Sequence, residues 1–304
     1  MRAVRFNGYG GPEVTEIAEV PRPDAGPGQL LVRVAAAGVN PVDWKIRDGH
    51  MRDAIPFIFP VTLGNELAGT VEAVGFGVTG FAPGDRVFAT TLPSGAFADY
   101  AAVDAAAAAL APSSVGLAEA AALPVAVVTA TAALDAGDVG EGTKLLIHAA
   151  AGGVGSIALQ LAKARGAIVT ALASPANLDF VRDLGADHAV DRNGHYEDEI
   201  GGFDMVLDAF GPETTARSWG LLKPGGILVT LAAPPSPEEA DARGVRATMI
   251  FGGPNATALA AAATLVDKGA LKPSVSRAYP VEDALAAIAE VEGGKVRGKV
   301  VITF

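Results

Sequence analysis

The amino-acid sequence predicts an α/β protein with two domains, one rich in β-strands and one built on a doubly wound parallel sheet. Its 304 residues are about twice the length of a typical domain. Up to about residue 120, short apolar runs lie between Gly and Pro turns, which is typical of an irregular β domain. From Pro124 onward, apolar strands alternate with amphipathic helices, and this alternation predicts parallel βαβ units.

The first half of the chain contains short predicted strands. Residues 1–8 are predicted to form an edge strand that runs into a Gly turn. Gly-Pro, Pro-Gly and Gly-Asp pairs, which favour turns, separate the strands that follow. These strands are predicted at 29–34, 69–74, 85–89 and 95–103.

The second half begins with a predicted βαβ unit, formed by a strand over 144–149, a helix over 154–165 and a strand over 168–173. A Ser-Pro pair at 174–175 is typical of a helix N-terminus, and the helix that it opens ends before Gly185. Further strands are predicted at 189–190, 205–210, 227–231 and 248–251, then helices at 257–268 and 281–292 and a closing strand at 299–304.

The composition excludes several classes of protein. Half of the residues are apolar and 19% are charged, so the chain can bury a sizeable core and its bulk is not disordered. With 34 acidic and 23 basic residues, the net charge of -11 repels phosphate backbones and anionic lipid. We therefore expect no nucleic-acid or membrane partner. The absence of cysteine excludes disulfides, thiolate metal sites and a thiol nucleophile.

Neither a leader nor a membrane span is expected. Residues 1–8 have no apolar core of signal-peptide length, and we expect a cytoplasmic protein. The longest uncharged apolar stretch, 120–134, is shorter than the ~20 residues that cross a bilayer, and it contains Pro124. We expect this stretch to be a buried helix.

A glycine-rich loop joins the predicted strand 144–149 to the predicted helix 154–165. Residues 150–155 read Ala-Ala-Gly-Gly-Val-Gly, a form of G-x-G-x-x-G whose first Gly is Ala. A side chain at Gly152 would hold a pyrophosphate away from the helix N-terminus, and one at Gly155 would push the helix off the strand. The strand–turn–helix context favours a dinucleotide site over a plain Gly-rich turn. The candidate cofactor contacts in this loop are Ala150, Gly152, Gly153 and Val154.

The end of the second strand favours NADP over NAD. An NAD site usually has Asp or Glu there, about 20 residues beyond the loop, to bind the adenosine 2′-hydroxyl. Here the strand ends at Ser174 with Asn177 nearby, and the first acidic residue, Asp179, lies inside the next helix. Since no carboxylate would repel a 2′-phosphate, the predicted cofactor is NADPH. Arg192, after the third strand, is either the cation for that phosphate or a solvated loop charge.

Several short motifs are spread over nearly the whole chain, at 38–43, 64–69, 84–87, 123–124, 149–155, 223–226 and 297–301. Together they resemble the medium-chain dehydrogenase/reductases, and within these the zinc-free quinone oxidoreductase and enone reductase branch. The resemblance implies a GroES-like catalytic domain, residues 1–123 and 261–304. A Rossmann NADP-binding domain, residues 124–260, is inserted into it. The resemblance also implies a homodimer.

The resemblance further implies a site without metal. Zinc-dependent relatives carry Cys where this chain has Asn40 and His where it has Asn65, and their structural-zinc cysteines are missing too. No residue is therefore predicted to bind a metal. Without zinc, hydrogen-bond donors or water must polarise a substrate carbonyl. Such a site suits hydride delivery onto quinones or α,β-unsaturated carbonyls, where charge spreads over the acceptor.

The catalytic candidates are Asn40 and Lys45. Enone reductases similar to this sequence carry an Asn-Pro-x-Asp-x-Lys stretch near the nicotinamide, which residues 40–45 match. Lys45 would hydrogen-bond the ribose or donate toward the developing enolate oxygen. The alternative is a surface lysine paired with Asp43 or Asp48.

The remaining cofactor contacts rest on resemblance and on strand ends. Thr129 resembles a Thr that approaches the nicotinamide carboxamide, and the alternative is a hydroxyl bonded to the preceding helical turn. Lys299 resembles a family cofactor contact, and the alternative is a plain lysine on an edge strand. Residues that follow strands in open α/β sheets line ligand clefts; here they are Phe210, Leu231, Ala232, Phe251 and Gly252.

The predicted function is NADPH-dependent reduction of a quinone or an α,β-unsaturated carbonyl. One alternative is a 2-enoyl thioester reductase, which should show a basic entrance for phosphopantetheine or CoA. No cluster of Lys and Arg lies beside the cleft motifs. The other alternative is a catalytically idle NADPH-binding sensor or structural protein.

Overall fold

The structure, a computed structural model, describes residues 1–91 and 93–304, and these divide into two units. Unit 1 comprises Met1–Val125, Gly253–Gly269 and Pro273–Phe304, and unit 2 comprises Ala126–Gly252 and Ala270–Lys272. Unit 1 is rich in strands and unit 2 is built on a parallel sheet, which confirms the predicted fold class.

The N-terminal part of unit 1 consists mainly of strands. The strands are β1 (Arg2–Phe6), β2 (Thr15–Glu19), β3 (Gln29–Val39), β4 (Val61–Thr62), β5 (Glu66–Val74), β6 (Arg86–Thr90), β7 (Tyr100–Asp104) and β8 (Ala108–Leu110). The helices are α1 (Pro41–Arg47) and α2 (Leu117–Ala120), with short 3-10 helices at Pro12–Val14 and Ala105–Ala107.

Strand β1 corrects the expectation of an N-terminal edge strand. It lies in the middle of a three-stranded sheet of order β2-β1-β4, because both of its edges are paired. The strand expected over 95–103 is shorter than predicted, since β7 begins only at Tyr100. A single residue of the earlier segment, Ala98, forms an isolated bridge with Ala3.

Unit 2 alternates strands with helices. The helices are α3 (Pro124–Ala136, which begins two residues before the unit), α4 (Gly153–Ala164), α5 (Leu178–Asp183), α6 (Pro212–Ser218) and α7 (Pro237–Arg243). The strands are β9 (Lys144–Ile147), β10 (Ile168–Ala173), β11 (His188–Asp191), β12 (Phe203–Asp208), β13 (Leu222–Thr230) and β14 (Arg246–Met249). Short 3-10 helices lie at Pro175–Asn177, Tyr196–Asp198 and Trp219–Leu221.

The sheet of unit 2 has the order β11-β10-β9-β12-β13-β14, and all of its pairs are parallel. The chain leaves β9 toward β10 on one side and returns to the other side with β12. The strand order therefore reverses between β9 and β12. In open α/β sheets, ligands bind outside the carboxyl ends of the strands at such a switch point.

The C-terminal part of the chain completes unit 1. Its elements are α8 (Ala256–Asp267), β15 (Val275–Pro280), a 3-10 helix at Val281–Asp283, α9 (Ala284–Glu292) and β16 (Lys299–Thr303). Strand β16 pairs with β15 on one side and with β3 on the other, in a sheet of order β15-β16-β3-β5-β6-β8, and β7 also pairs with β3. Lys299 therefore does not lie on an edge strand.

The return to unit 1 occurs at Gly253, before α8, whereas the sequence places the boundary after residue 260. Helix α8 belongs to unit 1 because its end is tied there. The backbone N–H of Ser114 donates to Asp267 Oδ1 (2.8 Å), and the Ser113 hydroxyl donates to Asp267 Oδ2 (3.2 Å).

Each unit has an apolar core of its own. In unit 1, Val4, Phe6, Leu67, Val87 and Ile302 are among the fully buried side chains. In unit 2 the core lies between the sheet and its helices, and it includes Leu146, Leu172, Val206, Trp219 and Leu228. At about 25 cal/mol per Å² of buried apolar area, such cores supply the main favourable term in folding.

The long apolar stretch Leu117–Ala136 has the length and composition of a membrane span, with a mean hydropathy of 1.8. It forms two helices, α2 and α3, instead of the single helix expected over 120–134. Inside the protein, 61% of its most apolar window is buried. Because mostly buried core helices satisfy the same criteria, the stretch is weak evidence for a span.

Candidate active site

The glycine-rich loop of unit 2 joins β9 to α4 at the switch point of the sheet. Ala149 has a φ of +52°, a left-handed conformation that non-Gly residues rarely adopt, and the chain turns sharply there. Such strain is concentrated at functional sites. Helix α4 then begins after Gly152, which offers no side-chain cap to the N–H groups of the first turn. A helix terminus of this kind attracts an anion.

The glycines of this loop have the packing that the fingerprint requires. A Cβ on Gly155 would clash with the carbonyl oxygen of Ala149, so α4 lies directly against the loop. A Cβ on Gly152 would lie 3.2 Å from the same oxygen. The role of Gly152 toward a pyrophosphate stays a prediction.

The residues predicted for the 2′-phosphate lie together. Ser174 follows β10, and its hydroxyl accepts a hydrogen bond from Asn177 Nδ2 (3.1 Å). Arg192 follows the neighbouring strand β11, and its backbone N–H donates to Ala173 O (3.0 Å). Its exposed guanidinium lies 5.5 Å from the Phe210 ring. Within residues 1–91 and 93–304, this guanidinium has no ion pair or hydrogen bond, so it is free to bind an anion.

The other predicted cofactor residues of unit 2 lie beyond the carboxyl ends of the strands, except Thr129, which lies on α3. The N–H of Leu231, after β13, donates to Asp208 O at the end of β12 (2.9 Å). A Cβ on Gly252 would lie 2.5 Å from the Thr129 hydroxyl, which places these two residues in contact. In the described part of the chain, the Thr129 hydroxyl makes no bond to the preceding helical turn. Phe210 and Phe251 are both largely exposed.

Sequence reasoning missed a buried carboxylate below this edge of the sheet. Asp208 Oδ1 accepts from the N–H groups of Phe210 (2.9 Å) and Gly211 (3.3 Å) and from the Thr214 hydroxyl (2.7 Å). Its Oδ2 accepts from the Thr215 hydroxyl (2.6 Å). The carboxylate therefore fixes the turn that presents Phe210. An Asp that ends an apolar strand before a Gly-Pro turn was the available signal.

His148, which directly follows β9, continues this network. Its Nε2 lies 2.8 Å from the hydroxyl of Ser218, which donates to Thr214 O (2.7 Å). Burial lowers the pKa of His148 to about 4, because the charged ring would lose its hydration, although the nearby Asp208 acts in the opposite direction. We call Asp208, His148, Thr214, Thr215 and Ser218 the carboxylate–hydroxyl network.

Unit 1 contains a second buried polar group, the lysine–carboxylate cluster of Asn40, Asp43, Asn65, Glu66 and Lys299. Asn40 occupies the N-cap position of α1, and its backbone N–H donates to Asp43 Oδ2 (2.7 Å). Its side-chain Nδ2 donates to Glu66 Oε1 (2.8 Å), and Asn65 Nδ2 donates to Asp43 Oδ1. Lys299 donates to Asn40 Oδ1 (2.5 Å) and to Glu66 Oε1.

Glu66 of the lysine–carboxylate cluster packs tightly against the backbone around it. Glu66 Oε2 accepts from the backbone N–H of Val125 (2.7 Å), and a Cβ on Gly38 would clash with Glu66 Oε1. Burial raises the pKa of Asp43 to about 7, although the hydrogen bonds from Asn40 and Asn65 act against this shift. The sequence motifs pointed to Asn40, Asp43 and Asn65 separately, but not to their connection with Glu66.

Asn40 and Asn65 take the positions that, by the resemblance, carry zinc ligands in zinc-dependent relatives. Both amides donate hydrogen bonds within the cluster, whereas the buried Asn65 Oδ1 has no hydrogen-bond partner among the described residues. The cation beside Asn40 is the ammonium group of Lys299. Among residues 1–91 and 93–304, no group of three His, Cys, Asp or Glu side chains could hold a metal ion.

Lys45 lies on α1, two residues beyond Asp43. Its ammonium lies 5.7 Å from the Trp44 ring, and the residue is half-buried. The carboxylates expected as alternative partners are engaged elsewhere, since Asp43 accepts from Asn40 and Asn65 and Asp48 pairs with Arg47 (2.7 Å). Lys45 makes no ion pair within the described chain.

A glycine loop at the switch point of a parallel sheet, in a unit that is inserted into a β-rich unit, is typical of dinucleotide-binding α/β proteins. Residues 26–113 match the family described as "Alcohol dehydrogenase GroES-like domain", and residues 184–302 match "Zinc-binding dehydrogenase". The chain belongs to the medium-chain dehydrogenase/reductase family.

Known proteins of this family are similar to much or all of the chain. A 2-methylene-furan-3-one reductase of Solanum lycopersicum is 34% identical over 316 residues, 99% of this chain and 79% of the relative. A chloroplastic quinone-oxidoreductase homolog of Spinacia oleracea is 42% identical over 200 residues, 63% of this chain. A mycobacterial protein whose structure was solved with NADPH is 30% identical, with a TM-score of 0.89 and full coverage of both chains.

Some relatives are much longer than this chain. The alignment spans 61% of the spinach protein. It spans only 14% of a spectinabilin polyketide synthase system protein of Streptomyces orinoci, which is 38% identical over 97% of this chain. This chain therefore corresponds to only part of these relatives.

Proposed function

We propose that the protein is an NADPH-dependent oxidoreductase that transfers hydride to a quinone or an α,β-unsaturated carbonyl without a metal ion. One observation carries this proposal. The uncapped N-terminus of α4 lies at the switch point of the sheet, while Ser174 and Arg192 lie at the ends of the next two strands. The N-terminus of α4 attracts a pyrophosphate. Ser174 offers a hydroxyl group, and Arg192 a free cation, to a 2′-phosphate.

NADPH fits these residues and, when bound, supplies the hydride. The first-turn N–H groups of α4 would hold its pyrophosphate, and Arg192 would neutralise its 2′-phosphate. The mycobacterial relative solved with NADPH supports this choice of cofactor. Names of relatives such as quinone-oxidoreductase homolog and 2-methylene-furan-3-one reductase support the acceptor classes.

The ammonium of Lys45 is the group of unit 1 that we assign to the substrate. Negative charge grows on the carbonyl oxygen of an enone as its β-carbon accepts hydride. An ammonium that is not neutralised by a carboxylate stabilises that charge more than it stabilises the neutral ground state. Lys45 meets this requirement because the neighbouring carboxylates are engaged with other residues.

The metal-free mechanism is supported by the lysine–carboxylate cluster. Asn40 and Asn65 carry neutral amides, which are weaker ligands for zinc than thiolate or imidazole. Lys299 places a positive charge beside Asn40, and this charge repels a divalent cation.

A 2-enoyl thioester reductase is the second candidate, because the polyketide synthase protein is 38% identical over nearly the whole of this chain. The two candidates, and an idle NADPH-binding protein, are separated by one assay. NADPH absorbance is followed with quinones, enones and enoyl thioesters at equal concentrations. We expect oxidation with quinones or enones at a higher kcat/KM than with thioesters. Faster turnover of thioesters would favour the second candidate, and binding without turnover would favour the third.

The cofactor preference is tested separately. We expect NADPH to bind at least about tenfold more tightly than NADH, or 1.4 kcal/mol, because Ser174 replaces the usual carboxylate. Fluorescence titration of both cofactors measures this. The variant Ser174→Asp should reverse the preference, while Ser174→Ala should keep it. Equal affinities in the wild type would contradict the assignment.

We further propose a cytoplasmic homodimer without membrane association. In the described chain, the outer edges of β11 and β14 are unpaired, so a second copy could extend the sheet of unit 2. Light scattering of the purified protein tests the dimer, and cell fractionation tests the location.

A further inference from the structure

All three N–H donors of the Lys299 ammonium form hydrogen bonds within unit 1. It donates to the backbone oxygen of Val39 (3.1 Å), to Asn40 Oδ1 (2.5 Å) and to Glu66 Oε1. An ammonium has three N–H donors and no acceptor, so these bonds leave no donor for another molecule. The side chain is also buried. This geometry fits neither the expected contact with a cofactor nor the alternative of a plain lysine on an edge strand.

The Asn40 amide bridges the two members of the Lys299–Glu66 ion pair. Its Oδ1 accepts from the ammonium, and its Nδ2 donates to the carboxylate (2.8 Å). A flipped amide would set its NH₂ group against the ammonium and its oxygen against the carboxylate. The ion pair therefore fixes one orientation of Asn40 through charge-assisted hydrogen bonds.

Asn40 passes this constraint to α1. It occupies the N-cap position of the helix, and although its side chain makes no capping hydrogen bond, its backbone N–H donates to Asp43 Oδ2 in the first turn, so the backbone of Asn40 is anchored to the start of α1. Lys45 lies in the last turn of the same short helix. An interaction that holds Asn40 in place therefore also holds α1, the helix from which the Lys45 side chain extends.

We propose that Lys299 is a positioning residue that, with Glu66, orients the Asn40 amide and thereby α1 and Lys45, and that it does not contact the cofactor. The inference rests on the proposed function only for its kinetic consequences. Its structural content, the link from Lys299 to α1, holds whatever reaction the protein performs.

The main test compares three variants. Lys299→Met keeps the apolar stem but leaves Glu66 as a buried carboxylate without its cation, which destabilises a fold strongly. The double variant Lys299→Met/Glu66→Gln removes both charges, and we expect it to unfold at a higher urea concentration than the single variant. Asn40→Ala keeps the ion pair and removes only the bridge. The matched control is Lys295→Met, the same substitution at an exposed lysine of unit 1.

We expect the double variant and Asn40→Ala to bind NADPH within about twofold of the wild type, while kcat with an enone falls at least tenfold. In the double variant, adding Lys45→Ala should cost much less than in the wild type, because Lys45 is already misplaced. A rise in the NADPH Kd that matches the loss in kcat would indicate direct contact with the cofactor. An unchanged kcat in Asn40→Ala would also overturn the proposal.

A spectroscopic readout does not depend on activity. Trp44 lies on α1 and its indole N–H is buried, and Trp219 is the second of the two tryptophans in the chain. In a Trp219→Phe background, we expect the emission of Trp44 to move to longer wavelength in the double variant and to stay unchanged in Lys295→Met. Unchanged emission in the double variant would overturn the link to α1. Failure of the wild type to oxidise NADPH would instead contradict the proposed function and leave this readout valid.

Discussion

The two units bury their carboxylates in different ways. In unit 1, the lysine–carboxylate cluster sets Asp43 and Glu66 against amides and the ammonium of Lys299. In unit 2, Asp208 is surrounded by backbone N–H groups and hydroxyls, without a hydrogen-bonded cation among the described residues. A buried charge needs either an opposite charge or several donors. The first solution ties together distant parts of the chain, and the second shapes one local turn.

The titratable groups of the two networks also respond to pH in opposite directions. Asp43 has a pKa raised to about 7, and it lies near Lys299 and Glu66. His148 has a pKa lowered to about 4, and its charged neighbours are Asp208, Arg217 and Glu197. Between about pH 4 and 6.5, folding takes up a proton at the first group and releases one at the second. In the wild-type protein, the contributions of these two groups to the pH dependence of stability therefore oppose each other.

The largest effect is expected in unit 2. Asp208→Ala leaves several buried donors without an acceptor, and it should lower the free energy of unfolding by about 4 kcal/mol. Asp208→Asn keeps one acceptor oxygen and should cost about half as much. Urea unfolding measures both variants. A loss below about 1 kcal/mol in Asp208→Ala would mean that water replaces the carboxylate.

The second largest effect is expected on turnover, at Lys45, which belongs to neither buried network. Lys45→Ala should lower turnover roughly thirty-fold to a thousand-fold, or about 2 to 4 kcal/mol, with a smaller effect on NADPH binding. The loss should be larger for enones than for quinones, which delocalise charge better. Lys45→Arg should recover little, because the guanidinium is planar and larger.

Steady-state kinetics and urea unfolding check this expectation together. The unfolding midpoint of Lys45→Ala should stay close to that of the wild type, since Lys45 belongs to neither buried network. Wild-type turnover with both acceptor classes would show that Lys45 is a surface charge.

The opposite pH dependences can be separated by variants. The folded-state pKa of Asp43 is raised, so its contribution is fully present below about pH 4 and is lost as pH rises through about 7. That of His148 is lowered, so its contribution is present above about pH 6.5 and is lost as pH falls through about 4. Each group changes the free energy of unfolding by about 2 kcal/mol between pH 5 and 6.5.

Urea unfolding at several pH values measures these slopes. In Asp43→Asn, the remaining His148 term should make stability rise with pH in this window. In His148→Gln, the remaining Asp43 term should make stability fall with pH. Parallel pH profiles of the two variants would show that the networks do not differ in this way.

The smallest expected effect is that of metal removal. Because Lys299 already supplies the cation beside Asn40, dialysis against a chelator should leave kcat and the unfolding midpoint unchanged. Activity assays before and after dialysis, with and without added zinc, measure this. Activity that is lost in the chelator and restored by zinc would contradict the metal-free assignment.

Features that depend on neighbouring residues could be predicted from the amino-acid sequence. The strand predicted over 168–173 is β10, Ile168–Ala173, and the helix predicted over 154–165 is α4, Gly153–Ala164. The glycine loop falls between β9 and α4, as predicted. Apolar periodicity and turn residues are local properties, so they can be read from short segments of the chain.

The contacts between residues distant in the chain could not be predicted in this way, because they depend on the three-dimensional fold. Lys299 lies 259 positions from Asn40, yet the two are hydrogen-bonded, because β16 pairs with the end of β3. The same holds for β1, whose place in the middle of a sheet depends on β2 and β4, and for α8, which is tied to unit 1 through Asp267. The partners of a buried charge or a strand edge come from anywhere in the chain, and local periodicity carries no information about them.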